Sequence, residues 1–103
     1  MSNLPRESLE VRFSFLIETF LTKTQTQLGE LRTAISDKNT DEIVSIVHGM
    51  KGSAGSVGAS SMHQLCKDYE ENAKNNNLSE SETWIDTLQA EFERYKNDIQ
   101  AYL

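Results

Sequence analysis

The chain has 103 residues, a formal net charge of −6, 37% hydrophobic residues and 25% charged residues. This length suffices for one hydrophobic core, so we expect a single domain over residues 1–103. The negative charge and the lack of a basic stripe argue against nucleic acid as a partner. No apolar run approaches the ~20 residues that span a bilayer, so the composition excludes a membrane protein.

The cysteine content and the N-terminus bear on location. Cys66 is the single cysteine and cannot form an intramolecular disulfide, which fits a reducing compartment. Residues 1–8 lack the basic-then-apolar order of a secretory signal. We therefore expect a cytoplasmic monomer whose partners are proteins. The start at Met1 and a last helix that reaches Leu103 favour a free-standing protein.

The first apolar stripe has helical spacing and predicts a helix over residues 9–36. Its members are Phe13, Ile17, Phe20, Leu28, Leu31 and Ile35. Val11 and Phe15 fall outside this stripe, and they either pack under the N-terminal segment or form part of a docking surface. The residues up to Leu9 are candidates for a short N-terminal cap helix.

A second helix is predicted over residues 40–56, after Asn39 and Glu42 in the spacing of a capping box. Its apolar face consists of Ile43, Ile46, Val47, Met50, Ala54 and Val57. The third stripe ends in the turn-prone run 75–77. Its members are Met62, Leu65, Cys66, Tyr69 and Ala73.

Ser79 and Glu82 repeat the capping-box pattern and predict the start of the last helix. The stripe of that helix consists of Trp84, Leu88, Phe92, Tyr95, Ile99 and Tyr102. No segment shows the strict alternation of a strand. Four amphipathic helices with short connections predict an all-α fold, an antiparallel four-helix bundle.

Four glycines follow one another at intervals of three residues, from Gly49 to Gly58. A glycine inside a helix destabilises it by about 1 kcal/mol relative to alanine, so Gly52 and Gly55 need a compensating role. Both point away from the apolar face of the second helix, together with His48. Gly52 lies one turn after His48, where any side chain would crowd the imidazole. The missing side chain therefore lets another molecule approach closely.

Lys51 also lies one turn from His48, with Cβ atoms expected ~5 to 6 Å apart. An exposed imidazole beside a cation, on a surface without bulky neighbours, suits an anionic group that must be passed on, such as a phosphoryl group. Gly58 is interpreted as a C-terminal helix cap or a turn. His63 is expected on the solvent face of the next helix as an ordinary solvated side chain, and Cys66 is expected in the core.

The segment 48–58 resembles the signature of histidine-containing phosphotransfer (HPt) domains, with a histidine, a lysine three residues on, a glycine four on and a further glycine ten on. Leu65, Cys66 and Glu70 match family positions that hold a leucine, a small or cysteine residue, and a glutamate or glutamine. Residues 55–58 and 84–86 are most similar to the HPt module of anaerobic-response hybrid sensor kinases. That subgroup has glutamine in place of Glu70, a difference that we interpret as tuning of phosphate binding.

The resemblance implies reversible phosphoryl transfer between a receiver-domain aspartate and His48 in two-component signalling. His48 would be the phospho-acceptor, Lys51 would stabilise the phosphoryl charge, and Gly52 and Gly55 would give the partner access. The implied partners are response-regulator receiver domains and a hybrid sensor histidine kinase. Mg²⁺ is expected on the receiver, so this chain should hold no metal or cofactor of its own. Without a nucleotide-binding loop, the chain would be a carrier with no ATP site and no independent turnover.

Two other classes of function stay open at this point. A non-catalytic helical-bundle adaptor would bind its partner without using His48. A metal-binding bundle is less favoured, because helical carboxylate sites use Glu-x-x-His pairs. The residues three positions before His48 and His63 are Ser45 and Ser60, which are not ligands of that kind.

Overall fold

The computed structural model describes the backbone of residues 6–101 and the side chains of residues 11–101. Within this part of the chain there are four α-helices and no strand. They are α1 (Arg6–Ser36), α2 (Thr40–Ser56), α3 (Ser60–Lys74) and α4 (Ser81–Gln100). The predicted all-α class is confirmed, and α2 has the bounds that the sequence predicts.

The four helices form an antiparallel bundle in which each helix packs against two others. Helix α1 contacts α2 and α4, and α3 contacts the same two helices from the opposite side. Connections of three residues join α1 to α2 and α2 to α3, so these pairs must run antiparallel. Neighbours in the sequence are therefore neighbours in the bundle, and α2 is held between α1 and α3.

The core is filled by the predicted apolar stripes, with a few differences in which residues are buried. From α1, the fully or almost fully buried side chains are Ile17, Phe20, Thr24, Leu28, Leu31 and Ala34. Phe20 contacts Phe92 and Tyr95 of α4 edge to face, with ring centroids 6.4 and 5.5 Å apart. Tyr69 of α3 stacks on Trp84 of α4 at 5.4 Å. Aromatic packing therefore joins α4 to both of its neighbours.

The first turns of α1 differ from the prediction. Phe13 belongs to the predicted stripe, yet half of its surface is exposed. The reason is length, because α1 has 31 residues and a rise of about 46 Å, against 17 residues and about 25 Å for α2. The start of α1 extends past its neighbours and has no core to face. Val11 and Phe15, which lie off the stripe, are exposed by about 70%.

Three predictions concern the ends of the helices. No separate cap helix forms within the described residues, because residues 6–9 belong to the first turns of α1, and residues 1–5 lie outside the described part. The capping box of Ser79 with Glu82 is wrong: α4 begins at Ser81, and the hydroxyl of Ser79 instead donates to Asn77 Oδ1 at 3.0 Å. Tyr102 of the last predicted stripe lies outside the described residues.

Helix α2 is capped at both ends. At the start, Asn39 Oδ1 accepts a hydrogen bond from the backbone N–H of Glu42 at 3.2 Å, as the capping-box pattern predicts. At the end, Gly58 has a φ of +73°. Its N–H donates to the carbonyl of Gly55, and the N–H of Ala59 donates to that of Ala54. This is the Schellman arrangement, which confirms Gly58 as a helix C-terminal cap.

Candidate functional site

Helix α2 has an apolar side in the core and a sparse side towards solvent. Ile43, Val47, Met50 and Ala54 are fully or almost fully buried. The side chain of His48 lies on the opposite side and is 66% exposed. As predicted, the helix presents an imidazole to solvent on the same side as Gly52.

A buried carboxylate from α3 contacts this imidazole. The side chain of Glu70 is only 5% exposed. Its Oε2 atom lies 2.8 Å from His48 Nδ1, and its Oε1 atom lies 2.7 Å from Lys51 Nζ. A second cation, Lys74, places its Nζ 3.2 Å from Oε2. One carboxylate therefore joins two side chains of α2 to one of α3.

The balance of forces on Glu70 favours its charged form. Burial raises the pKa of this carboxyl, but the hydrogen bonds from Lys51, His48 and Lys74 outweigh burial and lower the pKa from 4.5 to about 2. The group is therefore an ionised carboxylate at neutral pH. An ionised carboxylate can only accept hydrogen bonds, so the hydrogen between the two side chains belongs to His48 Nδ1.

This assignment fixes the tautomer of the neutral imidazole. With the hydrogen on Nδ1, the lone pair of the ring is on Nε2. Nε2 is the ring nitrogen remote from Glu70. In the neutral ring, the nitrogen remote from Glu70 therefore has a lone pair for an incoming group, while the other nitrogen donates to a buried anion.

The hydrogen-bond partner of Lys51 lies on another helix, which helical spacing alone does not predict. The Lys51 ammonium is one turn from His48 in sequence, but its hydrogen bond is to Glu70. The side chain is 27% exposed, which places the ammonium at the boundary between the α2–α3 contact and solvent. The cation is near the imidazole, and Glu70 holds both.

The two glycines on this side of α2 have different surroundings. A Cβ atom added at Gly52 would have no heavy atom within 4 Å. A Cβ added at Gly55 would lie 3.2 Å from Nδ1 of His63. Nothing within the fold therefore requires a glycine at position 52, whereas Gly55 makes room for a ring from α3.

The expectation for His63 is wrong. This side chain is partly buried rather than freely solvated, and its Nδ1 donates a hydrogen bond to the backbone carbonyl of Lys51 at 2.9 Å. The ring lies over Gly55, where α2 has no side chain. Gly55 therefore has an internal role in the contact between α2 and α3, in addition to its predicted role in partner access.

Cys66 is fully buried, as expected from the apolar stripe. Burial raises the pKa of its thiol to about 12, and the nearby charge of Glu70 raises it further than Lys51 lowers it. The thiol is therefore protonated at neutral pH and is not a nucleophile.

Lys74 is the member of this cluster that the sequence did not indicate as functional. It lies four residues after Glu70, and this spacing is a signal for an ion pair on a helix. This spacing is not specific for a functional residue, because most such pairs lie on solvated helix surfaces. Only the burial of Glu70 distinguishes this pair from those.

Comparison with known proteins identifies a family. A family model described as "Hpt domain" matches residues 16–98, which is most of the chain. Searches of curated proteins and of solved structures gave no match. None of the helices that the structure describes is long and apolar enough to cross a membrane. Among residues 11–101, whose side chains the structure describes, no group of three or more histidine, cysteine, aspartate or glutamate side chains is arranged to hold a metal ion.

The two glycines should respond differently to alanine. We expect Gly52→Ala to raise the free energy of unfolding by up to about 1 kcal/mol, because alanine is the better helix former and the space is open. Gly55→Ala should gain less, because its methyl group meets the ring of His63. Urea unfolding measures both. In a His63→Ala background, Gly55→Ala should recover the gain, and equal gains in the native background would contradict the packing of His63.

Glu70 should make stability depend on acid pH. Because its pKa is lowered from 4.5 to about 2, its ionised form stabilises the fold fully above ~pH 4.5, and this contribution is lost as the pH falls towards 2. We expect the native chain to be more stable than Glu70→Gln by about 1 to 3 kcal/mol at pH 7. The difference should vanish near pH 2.

Urea unfolding at several pH values measures this difference. Glu71→Gln is the matched control, since it removes the same charge from an exposed neighbouring position. Parallel stability curves for the native chain and Glu70→Gln would show that the three donors do not hold the carboxylate in its charged form.

Proposed function

The chain belongs to the Hpt domain family, so its role is histidine phosphotransfer in a phosphorelay, and we propose that His48 is the residue that carries the phosphoryl group. In this proposal His48 accepts the group from an aspartate of a receiver domain and passes it to another response-regulator receiver. The observation that carries the proposal is the hydrogen bond from His48 Nδ1 to buried Glu70, which leaves Nε2 of an exposed ring as the free nucleophile.

The environments of the two histidines favour His48 over His63. The ring of His48 is two-thirds exposed and stands beside Gly52, where no side chain blocks its approach. The ring of His63 is partly buried against Gly55. A receiver must bring its aspartate into contact with the attacking nitrogen, and His48 offers the open path.

The proposed step exchanges one bond to phosphorus for another. The lone pair of His48 Nε2 attacks the phosphorus of the aspartyl phosphate and forms an N–P bond. The bond between phosphorus and the aspartyl oxygen breaks, and the aspartate leaves as a carboxylate with the bonding electrons. No proton moves on His48, because Nδ1 retains its hydrogen.

Glu70 is the positioning residue for this step. As Nε2 gains its bond, the imidazole becomes cationic, and the ionised carboxylate 2.8 Å from Nδ1 stabilises that charge. The carboxylate is already in place before the reaction, so it does not itself have to move as the charge develops. The same hydrogen bond fixes the ring in the tautomer that can attack.

Lys51 and the partner supply the remaining charge compensation. We assign Lys51 to the phosphoryl oxygens, where its ammonium acts as a point charge. Phosphoryl transfer of this type depends mostly on positioning and on charge stabilisation. Mg²⁺ belongs to the receiver's site in this proposal. The chain itself acts as a carrier without independent turnover.

The proposal also includes the subgroup to which this module belongs and its partner proteins. The stretches 55–58 and 84–86 support a module of the type found in anaerobic-response hybrid sensor kinases. A hybrid sensor histidine kinase would then be one partner and a response regulator the other. A cytoplasmic monomer is the form in which we propose that the chain works.

Phosphorylation of His48 can be tested directly. The purified chain is incubated with a radiolabelled phosphorylated receiver domain and Mg²⁺, alongside His48→Gln and His63→Gln. We expect acid-labile, alkali-stable label on the native chain and on His63→Gln, and none on His48→Gln. No label from any of several receivers would favour the adaptor function, and label that persists on His48→Gln would move the site to another residue.

The open surface at Gly52 gives a separate prediction. We expect Gly52→Gln to fold normally, because no atom lies near a Cβ at this position. Its long side chain should obstruct the receiver and lower the rate of label transfer by at least about tenfold, which corresponds to ~1.4 kcal/mol in the barrier. Gly52→Ala is the control of minimal size. Normal transfer by Gly52→Gln would mean that the receiver does not approach over this turn of α2.

A further inference from the structure

Lys74 contacts the site through Glu70. It is the last residue of α3, and its side chain is 59% exposed. Its Nζ lies 3.2 Å from Oε2 of Glu70, the same oxygen that accepts the hydrogen bond from His48. Lys74 therefore contacts the carboxylate and has no part in the proposed phosphoryl step.

Glu70 depends on its donors because it is almost fully buried. A buried carboxylate is strongly destabilising unless it is paired and hydrogen-bonded. Here the donors are His48 and Lys74 on Oε2 and Lys51 on Oε1. If one donor is removed, the other two must compensate more of the negative charge of Glu70.

Lys51 has different partners in the structure and in the proposed reaction. In the structure its ammonium lies 2.7 Å from Glu70 Oε1. In the proposed reaction it pairs with the oxygens of the phosphoryl group, whose phosphorus is bonded to His48 Nε2, the ring nitrogen remote from Glu70. Lys51 must therefore loosen its bond to the carboxylate when the phosphoryl group arrives.

We propose that Lys74 is a positioning residue that keeps Glu70 paired while Lys51 turns to the phosphoryl group. The inference rests on the proposed function of His48. Lys74 compensates the carboxylate, so that the move of Lys51 does not leave a buried anion with a single donor. No covalent bond changes in this exchange, and both ammonium groups keep their protons.

Lys67 provides a natural comparison on the same helix. It lies seven residues before Lys74, its side chain is exposed, and it forms no ion pair or hydrogen bond within the described part of the chain. A substitution at Lys67 removes the same charge from α3 as one at Lys74. The two positions differ in their contact with Glu70, so the pair separates that contact from a general loss of positive charge.

The test is the rate of label transfer from a phosphorylated receiver to four proteins: native, Lys74→Ala, Lys51→Ala and the double variant. We expect Lys74→Ala to slow transfer about fivefold to tenfold, because Glu70 then holds Lys51 more tightly. In the Lys51→Ala background, Lys74→Ala should slow transfer by less than it does in the native chain, because the effect that acts through Lys51 is gone. Such non-additivity is the signature of coupled residues.

Several comparisons keep the test decisive. Lys74→Arg should restore the native rate, Lys67→Ala should leave it unchanged, and circular dichroism should show that each variant is folded. Equal slowing by Lys74→Ala with and without Lys51 would overturn the proposal, because it would indicate direct contact with the partner or a general structural effect. An unchanged rate in Lys74→Ala would overturn it as well. A native chain that takes no label would instead refute the function of His48, and this inference with it.

Discussion

The carboxylate of Glu70 is the contact on which the arrangement of the site depends. It lies almost fully buried between α2 and α3, and it fixes the tautomer of His48, the resting position of Lys51 and the position of Lys74. A neutral residue could pack in the same space, but it would not select the hydrogen on Nδ1 or compensate a cationic ring. The surroundings of this one group thus connect the packing of two helices to the reactivity of an exposed nitrogen.

Features that depend on one helix alone could be predicted from the sequence. The bounds of α2, its cap at Asn39 and the glycine cap at Gly58 follow from local spacing and from backbone conformations that few residues adopt. The exposure of His48 follows from its place opposite the apolar stripe. Local patterns settle these features because neighbours along a helix are fixed by its geometry.

Features that depend on the contact between two helices could not be predicted in the same way. The sequence places His63 on a polar face, but only the rotation of α3 against α2 brings its ring over Gly55. In the same way, the length of α1 beyond its neighbours exposes Phe13, although its spacing is that of a core residue. Glu70 was noted in the sequence as a departure from a subgroup, and its ionised, triply paired state emerged only from the packing.

The two caps of α2 have a consequence for the timescale on which the site moves. His48 has eight helical residues on either side, and each end of α2 is closed by the hydrogen bonds described above. The hydroxyl of Tyr95 also donates to the carbonyl of Val57 at 2.8 Å and so ties the end of α2 to α4. Fraying, which opens uncapped helix ends far more often than the whole domain unfolds, therefore starts at positions distant from the histidine. The imidazole thus stands on backbone whose amides should be among the slowest of the chain to exchange with solvent, so that a partner meets it on an intact helix.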